Sequence, residues 1–443
     1  MEQPRIRRRA GAMLGAAANV ISGQRRHRPD YQIVIYIILL MLLGLVVMYA
    51  IGPERANLLN AIHNTDFYTE NYFVAKQFAS LLVAVAAFAA MATIPFAKLK
   101  KYSWHLVVIG FGLSLLLFIA GNILHIDQIA TSTLGAYRWF NLGPLGGFQP
   151  AEWLKFALLI YVAGFLGKRY EQGKINDLNA TIYPMCGIVG LALFFVIILQ
   201  KDMGTGLAMA SVIAAMFVVS TVQWKIILKI GLVCLAFGAF AIVSAPHRME
   251  RVVTFFSGDS ATTSAEADDN NYHIKNAMIA LGTGGMFGRG IGKSIQGTGY
   301  LPEAINDSIF AIMGEIFGFV GTTIILALFA GLLLRLLRIS DHLSDMSMRL
   351  AVAGVFGWLA AHIVMNIASM IGLMPLTGIT LPLLSFGGTS MVFMCGALGL
   401  AFQLSRYTAH GLSKVKEVGH ANSSSRRGIG GSRYTRSRRT KGN

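Results

Sequence analysis

The residues of this chain with the chemistry to act on a substrate are few, and they sit in polar stretches between long apolar ones. Foremost is Asp307, a lone acid within Asn271–Gly321, where a Gly-rich loop and a Leu301-Pro302-Glu303 turn run into an apolar helix. A carboxylate carried into the bilayer core costs roughly 2.5 to 3.5 kcal/mol on insertion scales, so one kept there is read as functional. Six glycines fall within Gly282–Gly292, beside Arg289 and Lys293. Such a loop offers backbone N–H groups and two cations to a phosphate. It is not a nucleotide P-loop, because Gly292-Lys293-Ser294 would need a glycine at 287 and finds Phe287. Glu303 reads as a cap for the helix beginning near Asn306, and Glu315 as a partner inside the bundle.

Three further stretches carry candidates. Gly135–Lys155 holds Arg138 and Trp139, then opens a helix at Pro150, since proline suits the first helical turn. Glu152 and Lys155 follow at i and i+3, close enough to pair. Two readings stay open there: an ion pair that stitches helices together, or Lys155 and Arg138 gripping a phosphate. In the tight turn Leu199–Thr205, Asp202 either caps the next helix or touches substrate. Asn366–Met391 is uncharged yet broken by Pro375, Pro382 and several glycines. Irregular backbone at membrane depth is tolerated where it is buried in protein or lines a cavity, so this reads as a re-entrant loop packed under Asp307. Cys186, Cys234 and Cys395 lack metal-ligand spacing and read as core residues.

Membrane spans must position these groups. Of 443 residues, 54% are hydrophobic and 13% charged, against about 25% charged in a soluble domain. A span needs about 20 apolar residues. Ten stretches qualify, near 31–51, 73–96, 103–121, 149–167, 181–199, 204–222, 226–245, 308–336, 350–372 and 387–405. The expected fold is an all-α polytopic membrane protein of ten transmembrane helices. The net charge of +17 gathers at the ends: seven arginines precede the first span, and ten Lys and Arg follow Ser405. Positive segments stay in the cytoplasm, so both termini are placed inside and the large loop between spans seven and eight outside. The expected domains are a basic cytoplasmic arm at 1–30, a membrane domain at 31–405 with an outer loop at about 246–307, and a basic disordered tail at 406–443. Within the loop, Ser257–Asn271 reads as mobile and Tyr272–Leu281 as helix.

Four collinear blocks resemble the SEDS family of shape, elongation, division and sporulation proteins. They are Arg138-Trp139 through Gln149-Pro150-x-Glu152-x-x-Lys155, Gln200-x-Asp202-x-Gly204-Thr205, residues 282–321, and Pro375-x-Thr377-Gly378 through Ser385-Phe386-Gly387-Gly388-x-Ser390. The resemblance runs from about Tyr31 to Ser405. Leu301-Pro302-Glu303-Ala304 is closer to the FtsW-like division branch than to the RodA-like elongation branch. The family's Glu-Ala-His-Thr-Asp-Phe appears as Glu303-Ala304-Ile305-Asn306-Asp307-Ser308, which keeps the catalytic acid and changes its neighbours. His273 and Asn276 also stand where Gln is expected.

The resemblance implies a peptidoglycan glycosyltransferase that polymerises lipid II at the outer face of the bacterial cytoplasmic membrane, at the division septum. The 4-hydroxyl of GlcNAc on one lipid-linked disaccharide would attack the anomeric carbon of MurNAc on another, expelling undecaprenyl pyrophosphate with inversion. Asp307 is then the general base. Arg138, Lys155, Arg289 and Lys293 meet the leaving pyrophosphate, while Glu152, Asp202 and Ser385 complete the substrate contacts. A divalent cation, Mg or Mn, is compatible with this chemistry, although no acid cluster demands one. The implied partners are lipid II, the undecaprenyl pyrophosphate-linked glycan, a class B penicillin-binding protein transpeptidase and other division proteins, with no nucleic acid. The alternatives are a flippase for the lipid-linked precursor, an elongation polymerase or an inactive division scaffold.

Overall fold

Each of the ten apolar stretches centres on a helix in the computed structural model, which describes residues 28–133, 136–143, 146–244, 248–249, 252–253, 255 and 265–408. The expected arm before residue 28, the tail beyond 408 and most of 245–264 lie outside the described residues. The helices are α1 (Tyr31–His63), α2 (Tyr72–Thr93), α3 (Phe96–Phe118), α4 (Pro150–Glu171), α5 (Tyr183–Leu193), α6 (Met203–Val219), α7 (Trp224–Val243), α8 (Ala265–Thr283), α9 (Ile309–His342), α10 (Met346–Met370) and α11 (Thr389–Leu404). Wider π-helical turns extend α3 to Ile123 and flank α5 from Leu178 to Leu199.

Eight of these helical stretches are long and apolar enough to cross a membrane, rather than ten. The two shorter ones are α6, of 17 residues, and α11, of 16. α6 begins where expected but ends at Val219, where Ser220 turns extended, and the broken segment between α10 and α11 keeps Gly387 and Gly388 out of α11.

Local chemistry sets the boundaries. Asp30, Asp202 and Asp345 accept backbone amides of the helices they precede, at Gln32, Thr205 and Met348, which satisfies donors that a first turn leaves unpaired. Pro150 opens α4, with Glu152 in its first turn and Lys168 and Arg169 in its last, matching the helix dipole. α4 and α10 are the most buried spans, and they pack on each other. α7 instead presents Leu232, Val233 and Leu235 outward, as a lipid-facing helix does.

Two further expectations change. The chain is not purely helical: β1 (Ala130–Thr133), β2 (Ala136–Asn141) and β3 (Gly147–Phe148) form an antiparallel sheet in that order. Phe140 pairs with Ala130 and Phe148, and it packs on Leu117 and Ala120 at the end of α3. In addition, α8 begins at Ala265, so the later part of the stretch read as mobile is helical.

Polar contacts gather at two opposite ends. At one, Asp30 pairs with Arg335 and its amide reaches Ser405, while Lys100 meets Ser347. At the other lie the sheet, the Gly-rich loop and Asp307.

Candidate functional site

Asp307 is buried, 8% exposed, in the turn ahead of α9. The backbone around it is held from several sides. Asn366 on α10 donates its amide to the carbonyls of Asp307, at 2.7 Å, and Ile379, at 2.8 Å. The Ser385 hydroxyl donates to the Asn306 carbonyl at 2.6 Å and accepts from the Leu381 amide at 2.8 Å. The Phe386 amide donates to the Ile305 carbonyl at 2.8 Å. The segment from Ile371 to Gly388 therefore packs against the Asp307 turn. Ser385 itself is buried and engaged with backbone.

On the other flank, the Ser308 hydroxyl donates to the Pro302 carbonyl at 2.8 Å. His273 Nε2 lies 2.5 Å from Ser308 Oγ. The hydroxyl has one proton, so the one between it and His273 belongs to Nε2. Exposed Glu303 accepts from the Asn306 side chain at 2.5 Å rather than capping α9. From α2, Gln77 donates to the Ser385 carbonyl at 3.4 Å, and the Lys76 ammonium lies 5.9 Å from the Phe386 ring centre.

The Gly-rich loop packs its backbone against α9. α9 breaks at Gly318, whose φ of 67° lies in the left-handed region. Helical hydrogen bonds are lost there, and the loop replaces them. The amides of Arg289 and Gly290 donate to the carbonyls of Glu315 and Ile316, while those of Phe319 and Val320 donate to Gly285 and Met286. A Cβ at Gly288 would stand 2.1 Å from the Ile316 carbonyl oxygen, so glycine is needed for this approach. Glu315, fully buried, accepts from Ser294 Oγ at 2.6 Å and from the amides of Ile295 and Gln296. Arg289 lies 3.8 Å from the same carboxylate. The amides expected to face an anion thus serve the fold, Arg289 is paired, and Lys293 is exposed.

The Glu152–Lys155 question resolves toward the ion pair. Lys155 Nζ sits 2.8 Å from Glu152 Oε1, with side chains 0% and 2% exposed, so neither reaches a ligand as phosphate-gripping would require. Lys155 also lies 4.5 Å from the Trp358 ring centre and 3.3 Å from His362 Nε2. Trp358 Nε1 donates to that same nitrogen at 3.2 Å. Both neighbours only donate, so Nε2 is bare and Nδ1–H points to the Thr380 carbonyl at 3.4 Å. This network touches the Ile371–Gly388 segment one residue from Ile379.

A third group surrounds the α5–α6 turn. Arg138 donates to the carbonyls of Gln200, at 3.3 Å, and Lys201, at 2.9 Å. Asp202 caps α6 and accepts from Thr205 Oγ1 and Gln149 Nε2, each at 2.8 Å. Arg248 donates to the Ile197 carbonyl at 2.5 Å and the Ala241 carbonyl at 2.9 Å. Burial, and then the Arg138 guanidinium, lower its pKa from the usual arginine value, while Asp202 opposes the shift. Arg138 and Asp202 are therefore together, but with this turn as their partner.

Lys76, Gln77 and His362 carry no signal in the sequence, because isolated polar positions inside apolar helices do not show which partners they meet. Among the described residues, no three His, Cys, Asp or Glu gather as a metal site.

The signature of cell cycle proteins of the FtsW, RodA and SpoVE type matches residues 31–410. The chain is 31% identical over 386 residues to stage V sporulation protein E of Bacillus subtilis, covering 87% of this chain and 99% of that one. It is 30% identical over 376 residues to the probable peptidoglycan glycosyltransferase FtsW of Geobacter sp., covering 85% and 96%. A solved structure on the coordination of polymerization and crosslinking by a peptidoglycan synthase complex superposes with a TM-score of 0.64 at 24% identity, over 85% of this chain and 98% of that one. The rod shape determining protein RodA of Thermus thermophilus gives 0.59 at 23%, over 86% and 98%. These two likenesses show the shared fold.

Proposed function

The chain belongs to the cell cycle protein family of FtsW, RodA and SpoVE, and from that membership we propose that it is a peptidoglycan glycosyltransferase polymerising lipid II. The relatives named as probable peptidoglycan glycosyltransferases support this reading. The observation that carries the site is the burial of Asp307 in a turn whose backbone is fixed by Asn366, Ser385 and Phe386. A general base must be held where its proton donor arrives.

The acceptor GlcNAc 4-hydroxyl gives its proton to the Asp307 carboxylate as its oxygen bonds to the anomeric carbon of the donor MurNAc. The bond from that carbon to pyrophosphate breaks, and the electron pair leaves with undecaprenyl pyrophosphate. One displacement inverts the centre, so a single acid suffices. The Asp307 end faces outward and both termini face the cytoplasm, with α6 and α11 completing ten crossings. Septal synthesis beside a class B penicillin-binding protein transpeptidase is the working context.

The test is incubation of the full chain with lipid-linked disaccharide-peptide, with and without that transpeptidase, reading glycan length on a gel. Asp307→Asn is expected to lower polymer formation by roughly 10²- to 10⁴-fold without lowering thermal stability. A persisting ladder removes Asp307 from the mechanism. No ladder from the unmodified chain, with precursor crossing vesicle membranes, favours a flippase.

A further inference from the structure

We propose that Lys76 forms an anion subsite beside the Asp307 turn, taking the pyrophosphate of the lipid-linked donor; this rests on the glycosyltransferase reading. Lys76 is exposed in the second turn of α2. Its ammonium lies 5.6 Å from the Tyr72 ring centre and 5.9 Å from that of Phe386. No carboxylate pairs with it among the described residues. The two rings hold the cation in place without neutralising it.

Its neighbours tie it to the acid. Phe386 donates its amide to Ile305, two residues before Asp307, and Gln77 donates to the Ser385 carbonyl. α2 thus delivers Lys76 to the segment that fixes the Asp307 turn. Three of the four cations first expected in this role are otherwise committed, and the fourth, Lys293, is exposed on the Gly-rich loop. Lys155 is buried against Glu152, Arg289 meets Glu315, and Arg138 holds the α5–α6 turn.

Lysine suits a phosphate as a mobile point charge. As the bond from the anomeric carbon to pyrophosphate breaks, the electron pair leaves on the phosphate oxygen. The ammonium meets that added charge without transferring a proton. A phosphodiester headgroup of an anionic phospholipid shares this chemistry, so the test must separate the two.

Binding of fluorescent undecaprenyl pyrophosphate to the full chain in zwitterionic micelles is measured with undecaprenol, phosphatidylglycerol or inorganic pyrophosphate as competitor. Lys76→Met is expected to weaken binding roughly 10- to 100-fold, the worth of a charge-assisted bond, and Lys76→Arg to restore it. Competition by undecaprenol should not depend on Lys76. Equal affinity of Lys76→Met and the unmodified chain overturns the subsite. Phosphatidylglycerol competing as well as the pyrophosphate lipid, and losing that in Lys76→Met, overturns the pyrophosphate assignment in favour of a headgroup anchor. Lys76-dependent binding in a chain that makes no polymer sinks the polymerase reading and leaves the subsite standing.

Discussion

The Ser385 hydroxyl and the Asn306 carbonyl meet at 2.6 Å across 79 residues of chain. Ser385 Oγ also accepts from the Leu381 amide, so one side chain ties its own turn to the turn that carries Asp307. Ser385→Ala would leave a buried donor and a buried acceptor without their partner. That costs about 1–3 kcal/mol, read as a lower midpoint in thermal unfolding. Ser385→Thr keeps the hydroxyl and is expected to recover most of the stability and of the polymer yield. Equal unfolding midpoints for the alanine variant and the unmodified chain would deny the hydroxyl this role.

Glu315 is the anchor of the Gly-rich loop, through Ser294, Ile295, Gln296 and Arg289. Hydrogen bonds to a charged group contribute about 1.5–3 kcal/mol each, and they are not additive where they share one acceptor. Glu315→Ala is therefore expected to destabilise by about 3 kcal/mol or more. Amide exchange should rise first at Ile295 and Gln296. Glu315→Gln keeps an acceptor and should fall between the two. Unchanged exchange across the loop in the alanine variant would show that the backbone ladder to α9 holds it alone.

How much of this was legible follows from how far each contact reaches along the chain. The helices were legible because hydropathy is local, and the place of Asp307 just ahead of one because an acid at the edge of an apolar run stands out. The pairing of Glu152 with Lys155 was readable at i and i+3, but not which reading would win, since burial depends on α10. The packing of the Gly-rich loop was not legible, because glycines signal close backbone approach without saying to what. Here the approaching group is the carbonyl of Ile316 rather than a phosphate. The short sheet lacked alternation long enough to register. Gln77 and Ser385 are separated by 308 residues, and nothing periodic marks such a pair.

The Lys155 ammonium and the Glu152 carboxylate are buried together. Removing one partner strands the other in a low-dielectric interior, which costs about 3–5 kcal/mol, whereas replacing both with apolar groups of similar volume is often neutral. Glu152→Gln and Lys155→Met should each lower the unfolding midpoint strongly. The double replacement by methionine should regain much of the loss. If the double variant is as unstable as the sum of the singles, the two charges do not act as a pair. His362→Leu is expected to release the Thr380 carbonyl and reduce polymer yield, and His362→Gln to restore part of it.

Gly282, in the last turn of α8, and Gly288, in the loop that follows, lie six residues apart, yet they predict opposite outcomes. Gly288 has φ of +80°, and a Cβ there would meet the Ile316 carbonyl oxygen at 2.1 Å, backbone that cannot rotate away. Gly282 is helical, and a Cβ there meets nothing within 4 Å. Alanine in a helix is favoured over glycine by about 1 kcal/mol, so Gly282→Ala should be neutral or slightly stabilising. Gly288→Ala must instead push the loop off α9, breaking the bonds from Arg289 and Gly290 to Glu315 and Ile316. Limited proteolysis between 284 and 294 separates the two, with faster cleavage expected only in Gly288→Ala. Equal cleavage of both variants would mean that the ladder across the Gly318 break tolerates displacement. The approach of the two backbones would then not be what holds the loop against the helix that begins at the Asp307 turn.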